Sequence, residues 1–245
     1  RDDASGRGGV TIRGTIGPLP ALASAGHVLL VGRVGEQDAR TGEPVLALVA
    51  TASEGATART IVPSGWRAAR WGTLVCDQVH VSADFILARG EPAAAAIEEV
   101  LAWYRVSLAA RAVGVAAAAM EHAARYGAER VQFGQPIGSF EALARMRDEN
   151  ETAIAAARAL VWQAAWQLDR GAPEAGDSAS RARAHAGAVV ARATIDAVQM
   201  FGGYGFVNDY PVEKLMRDAR AFEVLLGNEG FERVRRAAAA AARGA

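Results

Sequence analysis

The sequence predicts an α+β protein in which a β-rich segment precedes a bundle of long antiparallel helices. Two observations lead to this fold class. Residues 1–90 contain short apolar runs separated by Gly, Pro and Thr, a texture typical of β-strands. From residue 91 onward, apolar residues recur at helical spacing over long segments joined by short turns, which is typical of a helical bundle. The predicted domains are therefore a β-rich segment over residues 1–90 and a helical bundle over residues 91–245.

Three apolar runs are the candidate strands of the β-rich segment. They are HVLLVGRV at 27–34, VLALVAT at 45–51 and LVCDQVHVSADFIL at 74–87. In the third run Asp77 and Gln78 interrupt the alternation of side chains, which predicts a bend or a β-bulge. The opening RDDASGRGG has the composition of a disordered segment or a cut linker. Because the β-rich segment has no obvious partner before it, we expect further protein on its N-terminal side.

The helical part is predicted to contain three long helices and two short ones. The long helices cover residues 94–127, 140–169 and 178–201. Ser139 is the expected N-cap of the second, and residues 169–178 form a turn-rich connector. Pro211 suits the first turn of a short helix. A last helix is expected over residues 231–243.

Composition excludes several classes of function. The 245 residues carry no formal net charge, so the sequence lacks the excess positive charge of a surface for nucleic acid or an anionic membrane. The single cysteine, Cys76, allows neither an internal disulfide nor a cysteine metal site. The four histidines are scattered without metal-ligand spacing, so no metal is expected. No uninterrupted run of 18 apolar residues and no signal segment is present, which predicts a soluble cytoplasmic protein.

The segment GGYG at 202–205 raises the question of what needs so flexible a backbone. It is neither a P-loop nor a dinucleotide fingerprint, because the spacing differs and no Lys-Ser/Thr follows. Taken alone, it is explained by a helix C-cap followed by a tight turn. Two neighbouring stretches change that interpretation.

These stretches are RYGAERVQFGQPIGSFEALA at 125–144 and DAVQMFGGYGFVNDYPVEKLMRDAR at 196–220. Together they resemble the C-terminal helical domain of the acyl-CoA dehydrogenase family, and the similarity covers most of residues 100–235. The first follows the family pattern R-x-x-F-G-x-P-I-x-x-F, starting at Arg130. The second follows Q-x-x-G-G-x-G-F, starting at Gln199. Arg105 also stands where the family carries an arginine, and 77–90 is similar to the end of the family's middle β-domain.

The resemblance implies that the glycine-rich turn lies against the adenosine diphosphate portion of FAD. Glycines would let backbone amides approach the pyrophosphate. Arg130 would supply a charged fork to the phosphates, Gln199 amide contacts and Phe133 an aromatic surface. The implied cofactor-binding residues are Arg130, Gln132, Phe133, Gln199, Gly202 and Gly203. From the residues alone, core packing remains an equal alternative for Phe133 and Phe206.

In this family such residues typically reach the FAD held mainly by a neighbouring subunit. The implied partners are therefore an acyl-CoA thioester and a homologous subunit in a dimer or tetramer. The family's catalytic base is a glutamate in a turn after the RDAR helix. Counted without gaps from Arg217, that position is Leu226, which cannot accept a proton. The family's alternative base position is Tyr104, a poor base at its ordinary pKa.

Two nearby carboxylates, Glu223 and Glu229, are the candidate substitutes for the missing base. The resemblance thus predicts a FAD-dependent subunit that takes part in α,β-dehydrogenation of an acyl-CoA thioester and lacks its own catalytic glutamate. Actinobacterial enzymes of sterol side-chain breakdown resemble this arrangement, because they pair a competent subunit with an incomplete one. The alternatives are an active homomeric flavoenzyme with an unusual base, such as Glu229, and a structural homologue without flavin.

Overall fold

A computed structural model describes residues 8–35 and 42–225. Within them the chain forms two compact units. The first comprises the residues up to Pro63 and Arg67–Val100, and the second comprises Ser64–Trp66 and the chain from Leu101 onward. The predicted 231–243 helix and positions 226 and 229 lie outside the described residues.

The first unit consists of two three-stranded antiparallel sheets. One has the strand order β1-β5-β4 and the other β2-β3-β6. The strands are β1 (Val10–Leu19), β2 (His27–Val34), β3 (Glu43–Ala50), β4 (Ala56–Thr60), β5 (Gly72–Val81) and β6 (Ile86–Arg89). The three predicted runs correspond to β2, β3 and β5 with β6. Strands β1 and β4 were not predicted, because their exposed residues weaken the apolar alternation.

Apolar side chains from both sheets form one core in this unit. Ala47 and Val49 of β3 belong to the same buried cluster as Leu74 and Val79 of β5. The predicted bulge is confirmed, because the β1–β5 register passes from Ile12↔Val79 to Gly14↔Cys76. Two residues of β5 therefore oppose one of β1, and Gln78 takes a left-handed φ of 57°.

The second unit is built on long helices, which confirms the α+β class. They are α1 (Gly90–Glu129), which belongs to this unit from Leu101 onward, α2 (Glu141–Asp169) and α3 (Ala175–Phe201), and they are followed by the short helix α4 (Val212–Ala219). Helices α2 and α3 pack against each other, and α4 packs on α3. Fully buried alanines, such as Ala186, Ala193 and Ala197 of α3, line the interior. Small side chains bring helix backbones close together, which explains how a core this rich in alanine is filled.

Two details near the start of α2 differ from expectation. Phe140, not Ser139, is the N-cap of α2. Ser139 lies in the 3-10 turn Ile137–Ser139, and its hydroxyl donates to the carbonyl oxygen of Pro136 at 2.7 Å instead of capping the helix. The segment before this turn also differs from the predicted short connecting turn, because Val131–Gln132 (β7) and Gln135–Pro136 (β8) form a small antiparallel hairpin. Pro136 is tolerated there because a two-stranded ribbon has only edge strands.

Helix α1 is long and apolar enough, by length and composition, to cross a membrane. In its most apolar 18-residue window, however, 44% of the residues are buried inside the fold. Core helices of soluble proteins pass the same test. The helix also contains Arg105, which is only 4% exposed within the folded chain. These features are those of a core helix.

Candidate cofactor site

The second unit has a cavity of about 660 Å³ at the end of α1, the β7–β8 hairpin and the end of α3. All six residues that the resemblance implied for the cofactor line it: Arg130, Gln132, Phe133, Gln199, Gly202 and Gly203. They come from two stretches about 65 residues apart in the sequence. The tertiary structure brings the two stretches to one surface.

The β7–β8 hairpin presents Phe133 at its tip. Phe133 and Gly134 are the two turn residues, and their φ angles are 52° and 83°. Positive φ at both positions is the geometry of a tight type I′ turn, which normally favours Asn-Gly. A phenylalanine in the left-handed region costs about 1–2 kcal/mol. The Ile137 amide holds the base of the hairpin by donating to the Arg130 carbonyl oxygen at 2.8 Å.

Phe133 is 94% exposed. In the described part of the chain, the one aromatic ring in contact with it is that of Phe140, edge-on, with 6.3 Å between the ring centroids. Phe206 is 72% exposed. Core packing, the alternative considered for both rings, is therefore wrong. A strained backbone that carries an exposed aromatic ring is not explained by stability, and such outliers cluster at binding sites.

The three glycines of 202–205 differ in their backbone conformation and in what a Cβ would meet. Gly202 is the C-cap of α3 and has a φ of 57°, so the helix-cap interpretation is correct for this residue. At Gly205 a Cβ would lie 2.5 Å from the Val198 carbonyl oxygen, so packing excludes a side chain. At Gly203 a Cβ would meet nothing within 4 Å, and the φ angle is not in the left-handed region. Nothing in the described fold requires glycine at 203, and its open face borders the cavity.

Arg130 follows the last turn of α1, where its amide donates to the Tyr126 carbonyl oxygen at 2.9 Å. Its guanidinium carbon lies 5.6 Å from the centroid of the Tyr204 ring. Across residues 8–35 and 42–225, no carboxylate lies within ion-pairing distance of Arg130. The arginine therefore borders the cavity with its charge uncompensated by an acidic side chain of the described chain.

Gln199 lies in the last turn of α3, and its carbonyl oxygen accepts the amide of Gly202. Its side chain lines the cavity from the helix end. The side-chain carboxamide of Gln132 donates through Nε2 to the Val131 carbonyl oxygen at 2.7 Å, so a contact within the hairpin occupies one of its donors. An arginine, two carboxamides, an aromatic ring and open glycines form a surface suited to an anionic ligand that also has a flat ring.

The described candidates for the proton acceptor, Tyr104 and Glu223, are poorly suited to act as a base. Burial raises the pKa of Tyr104, although Arg111 and Arg183 partly oppose the shift. The phenol is therefore a weaker acid than usual and is neutral near pH 7. Glu223 accepts from Arg220 at 2.5 Å and is tied to its own 3-10 turn. Leu226 and Glu229 lie outside the described residues.

The RDAR stretch has a structural role that sequence analysis did not assign. Asp218 is 7% exposed and accepts the backbone amide of Trp66 at 2.7 Å. Arg217 donates to the Ser64 carbonyl oxygen and pairs with Glu213. A Cβ on Gly65 would lie 2.2 Å from the Arg217 carbonyl oxygen, so only glycine fits. These contacts attach Ser64–Trp66 to α4.

Arg183 is a second residue that sequence analysis missed. It is fully buried on α3 and donates to the carbonyl oxygens of Phe222 and Leu225. It thus holds the last described turn before position 226. An arginine inside an alanine-rich helix gives no signal of this role, because helical spacing alone does not separate it from the exposed arginines nearby.

Comparison with known proteins places these features in a family. The profile of the acyl-CoA dehydrogenase C-terminal domain matches residues 94–241. An acyl-CoA dehydrogenase of Bacillus subtilis (strain 168) is 42% identical over 130 residues, which are 53% of this chain and 34% of that protein. The chain thus spans about a third of the length of the curated relatives it matches.

Two solved structures extend the similarity to the β-rich unit. Butyryl-CoA dehydrogenase from Megasphaera elsdenii matches with a TM-score of 0.83 and 28% identity, over 94% of this chain and 60% of that one. A variant of the Tcur3481-Tcur3483 steroid ACAD matches with a TM-score of 0.82 and 27% identity, over 98% and 61%. On the match to residues 94–241, which covers more than half of its length, the chain belongs to the acyl-CoA dehydrogenase family.

Proposed function

We propose that this chain is a subunit of a FAD-dependent oxidoreductase that dehydrogenates an acyl-CoA thioester, and that its cavity completes the FAD site of a homologous partner subunit. Enzymes of the family use FAD. The observation that carries the proposal is the meeting of Arg130, Phe133, Gln199 and Gly203 at one cavity. The bound flavin would accept the hydride that leaves the β-carbon of the thioester.

The residues present fit the diphosphate end of FAD. Arg130 offers a guanidinium with no acidic partner in the described chain, and Gly203 offers an open backbone face beside the end of α3. Arginine recognises phosphate through paired N–H donors, and glycine lets a ligand approach the backbone. Gln199 would position a polar group of the ligand, and Phe133 would stack or pack against a ring.

The chain is further proposed to lack its own proton acceptor. Dehydrogenation requires a base that removes the α-proton of the thioester as hydride leaves the β-carbon. By the count from Arg217, Leu226 stands at this position, and a leucine side chain has no basic group. Burial raises the pKa of Tyr104, so its phenol is ionised at neutral pH even less often than that of an ordinary tyrosine and cannot readily accept the proton. A heteromeric enzyme in which the partner supplies the base is consistent with both features.

The class of substrate is proposed to be an acyl-CoA thioester, with steroid-CoA thioesters among the candidates. The structural neighbour named as a steroid ACAD covers 98% of this chain. The homomeric alternative, with Glu229 as base, makes the opposite prediction for the chain alone, which would then bind flavin and turn over substrate. A structural homologue would bind no flavin in any assembly.

The test is the flavin content of the protein expressed alone and together with candidate homologous subunits from its source organism. We expect a yellow complex only on co-expression. Arg130→Ala should lower FAD affinity about 10- to 100-fold, the equivalent of about 1.5–3 kcal/mol for a charge-assisted contact. Arg125→Ala is the matched control, because Arg125 lies five residues earlier, on α1, and pairs with Glu121 outside the residues that line the cavity. Unchanged FAD affinity in Arg130→Ala would refute the proposed site.

A further inference from the structure

The guanidinium of Arg130 rests on an aromatic ring instead of a carboxylate. Its carbon lies 5.6 Å from the centroid of Tyr204, within the range of a cation–π contact. Tyr204 belongs to the 3-10 turn Gly202–Phe206 that follows α3. It is the residue between the glycines of GGYG, so one short turn supplies both the open backbone face and the ring beneath the arginine.

Tyr204 is itself held by other rings. Its ring centroid lies 6.4 Å from that of Tyr126 and 6.1 Å from that of Tyr210. Tyr126 stacks on Phe201 at 4.2 Å, and Phe201 is only 4% exposed. The cluster therefore connects Tyr204 to the core of the second unit, whereas 48% of Tyr204 remains exposed beside Arg130.

This arrangement orients the arginine without neutralising it. A carboxylate at the same place would also fix the side chain, but it would compete with an anionic ligand for the same N–H donors. An aromatic face attracts the cation through its quadrupole and leaves the in-plane N–H groups available. An arginine oriented before binding loses less side-chain entropy when the ligand arrives.

We infer that Tyr204 is a positioning residue that holds Arg130 in place for the diphosphate of FAD. The inference rests on the proposed function, because it assigns a role within the same cavity. The contribution expected of an exposed cation–π contact is about a two- to fivefold change in affinity.

The experiment is FAD titration of the flavin-depleted complex, purified with the subunits with which this chain assembles, for four variants. Tyr204→Leu should weaken FAD binding about two- to fivefold, whereas Tyr204→Phe, which keeps the ring, should bind as the unmodified protein does. Tyr204→Leu added to Arg130→Ala should cause no further loss, because the residue to be positioned is gone. A role in packing alone would produce the same loss in both backgrounds.

The outcomes separate the two proposals. If Arg130→Ala leaves FAD affinity unchanged, the proposed function fails together with this inference. If Arg130→Ala weakens binding but Tyr204→Leu does not, or if the two losses add, the proposed function stands and the positioning role is wrong. Tyr204→Phe behaving like Tyr204→Leu would also overturn it, because the hydroxyl and not the ring face would then matter.

Discussion

Motif residues of the family take part in two regions of the molecule whose polar groups are satisfied differently. One is the cavity at 130–133 and 199–204, and the other is the contact between α4 and Ser64–Trp66. At α4, Asp218 accepts the Trp66 amide and Arg217 pairs with Glu213, so the polar groups find partners within the chain. At the cavity, Arg130 has no acidic partner in the described chain and the Phe133 ring is 94% exposed. We therefore expect motif residues that are satisfied internally to serve folding and those left open to bind a ligand.

The largest expected effect concerns the proposal that this chain lacks its own proton acceptor. We expect the isolated chain, loaded with FAD if it binds, to bleach flavin with acyl-CoA or steroid-CoA thioesters about 10²–10⁴-fold more slowly than the complete complex, because a general base contributes about this factor. Stopped-flow absorbance of the flavin measures it. Rapid bleaching by the chain alone that Glu229→Gln abolishes would favour the homomeric enzyme and contradict the proposal that this chain lacks its own base.

Asp218→Ala tests the internally satisfied region. It should lower the free energy of unfolding by about 1.5–3 kcal/mol, because the Trp66 amide loses a charged acceptor. Urea denaturation measures the change, and Asp209→Ala, at an exposed site, is the control. Arg130→Ala should leave the unfolding free energy within about 0.5 kcal/mol. The comparison is wrong if Asp218→Ala is neutral while Arg130→Ala unfolds the chain.

The glycines of one turn offer a matched pair. Gly205→Ala should destabilise the fold by about 1–3 kcal/mol, since its Cβ would meet the Val198 carbonyl oxygen. Gly203→Ala has open space and should keep stability but weaken FAD binding, and Gly203→Val should weaken it further. Thermal unfolding and FAD titration of the same samples separate the two effects. Equal loss of stability in both alanine variants would contradict the assignment of Gly203 to the ligand.

The smallest expected effect is a gain. Phe133→Asn should raise the free energy of unfolding by up to about 1 kcal/mol, because Asn-Gly suits the turn that Phe133 and Gly134 now form. FAD affinity should fall in the same variant, since the exposed ring is lost. Phe85→Leu, which removes an exposed ring that does not line the cavity, is the control. A variant that is more stable and binds FAD equally well would show that Phe133 has no role at the cavity.

The sequence predicted the helices well and the sheets less well, for identifiable reasons. Long segments such as 140–169 carry many repeats of the helical period, so the pattern is strong, and α2 spans Glu141–Asp169. Half of the residues of β1 and most of those of β4 are exposed, so the alternation that identifies a strand is weak. The β7–β8 hairpin was not predicted, because its turn residues are Phe-Gly, whereas the usual sequence of such a turn is Asn-Gly.

The residues of the cavity could be named from the sequence because their spacing follows a family pattern, and that pattern is local within each of two stretches. Their convergence could not be predicted from spacing, since it depends on how α1 and α3 end beside each other. Roles that depend on distant partners were likewise invisible. Asp218 meets Trp66 across 152 positions, and Arg183 meets Phe222 and Leu225 across 39 and 42.

The sequence by itself therefore determined the α+β class, the long helices, the bulge at Asp77–Gln78 and the candidate cofactor residues. The first three depend on periodicity or alternation within a short stretch of chain, and the cofactor residues depend on the resemblance of two short motifs to a family pattern. Only the tertiary structure decided which glycine faces open space, which rings are exposed and which charged side chains are satisfied by backbone groups. The physical reason is that burial and hydrogen bonding belong to pairs of atoms brought together by folding, and the same residue type serves stability or a ligand according to what lies beside it.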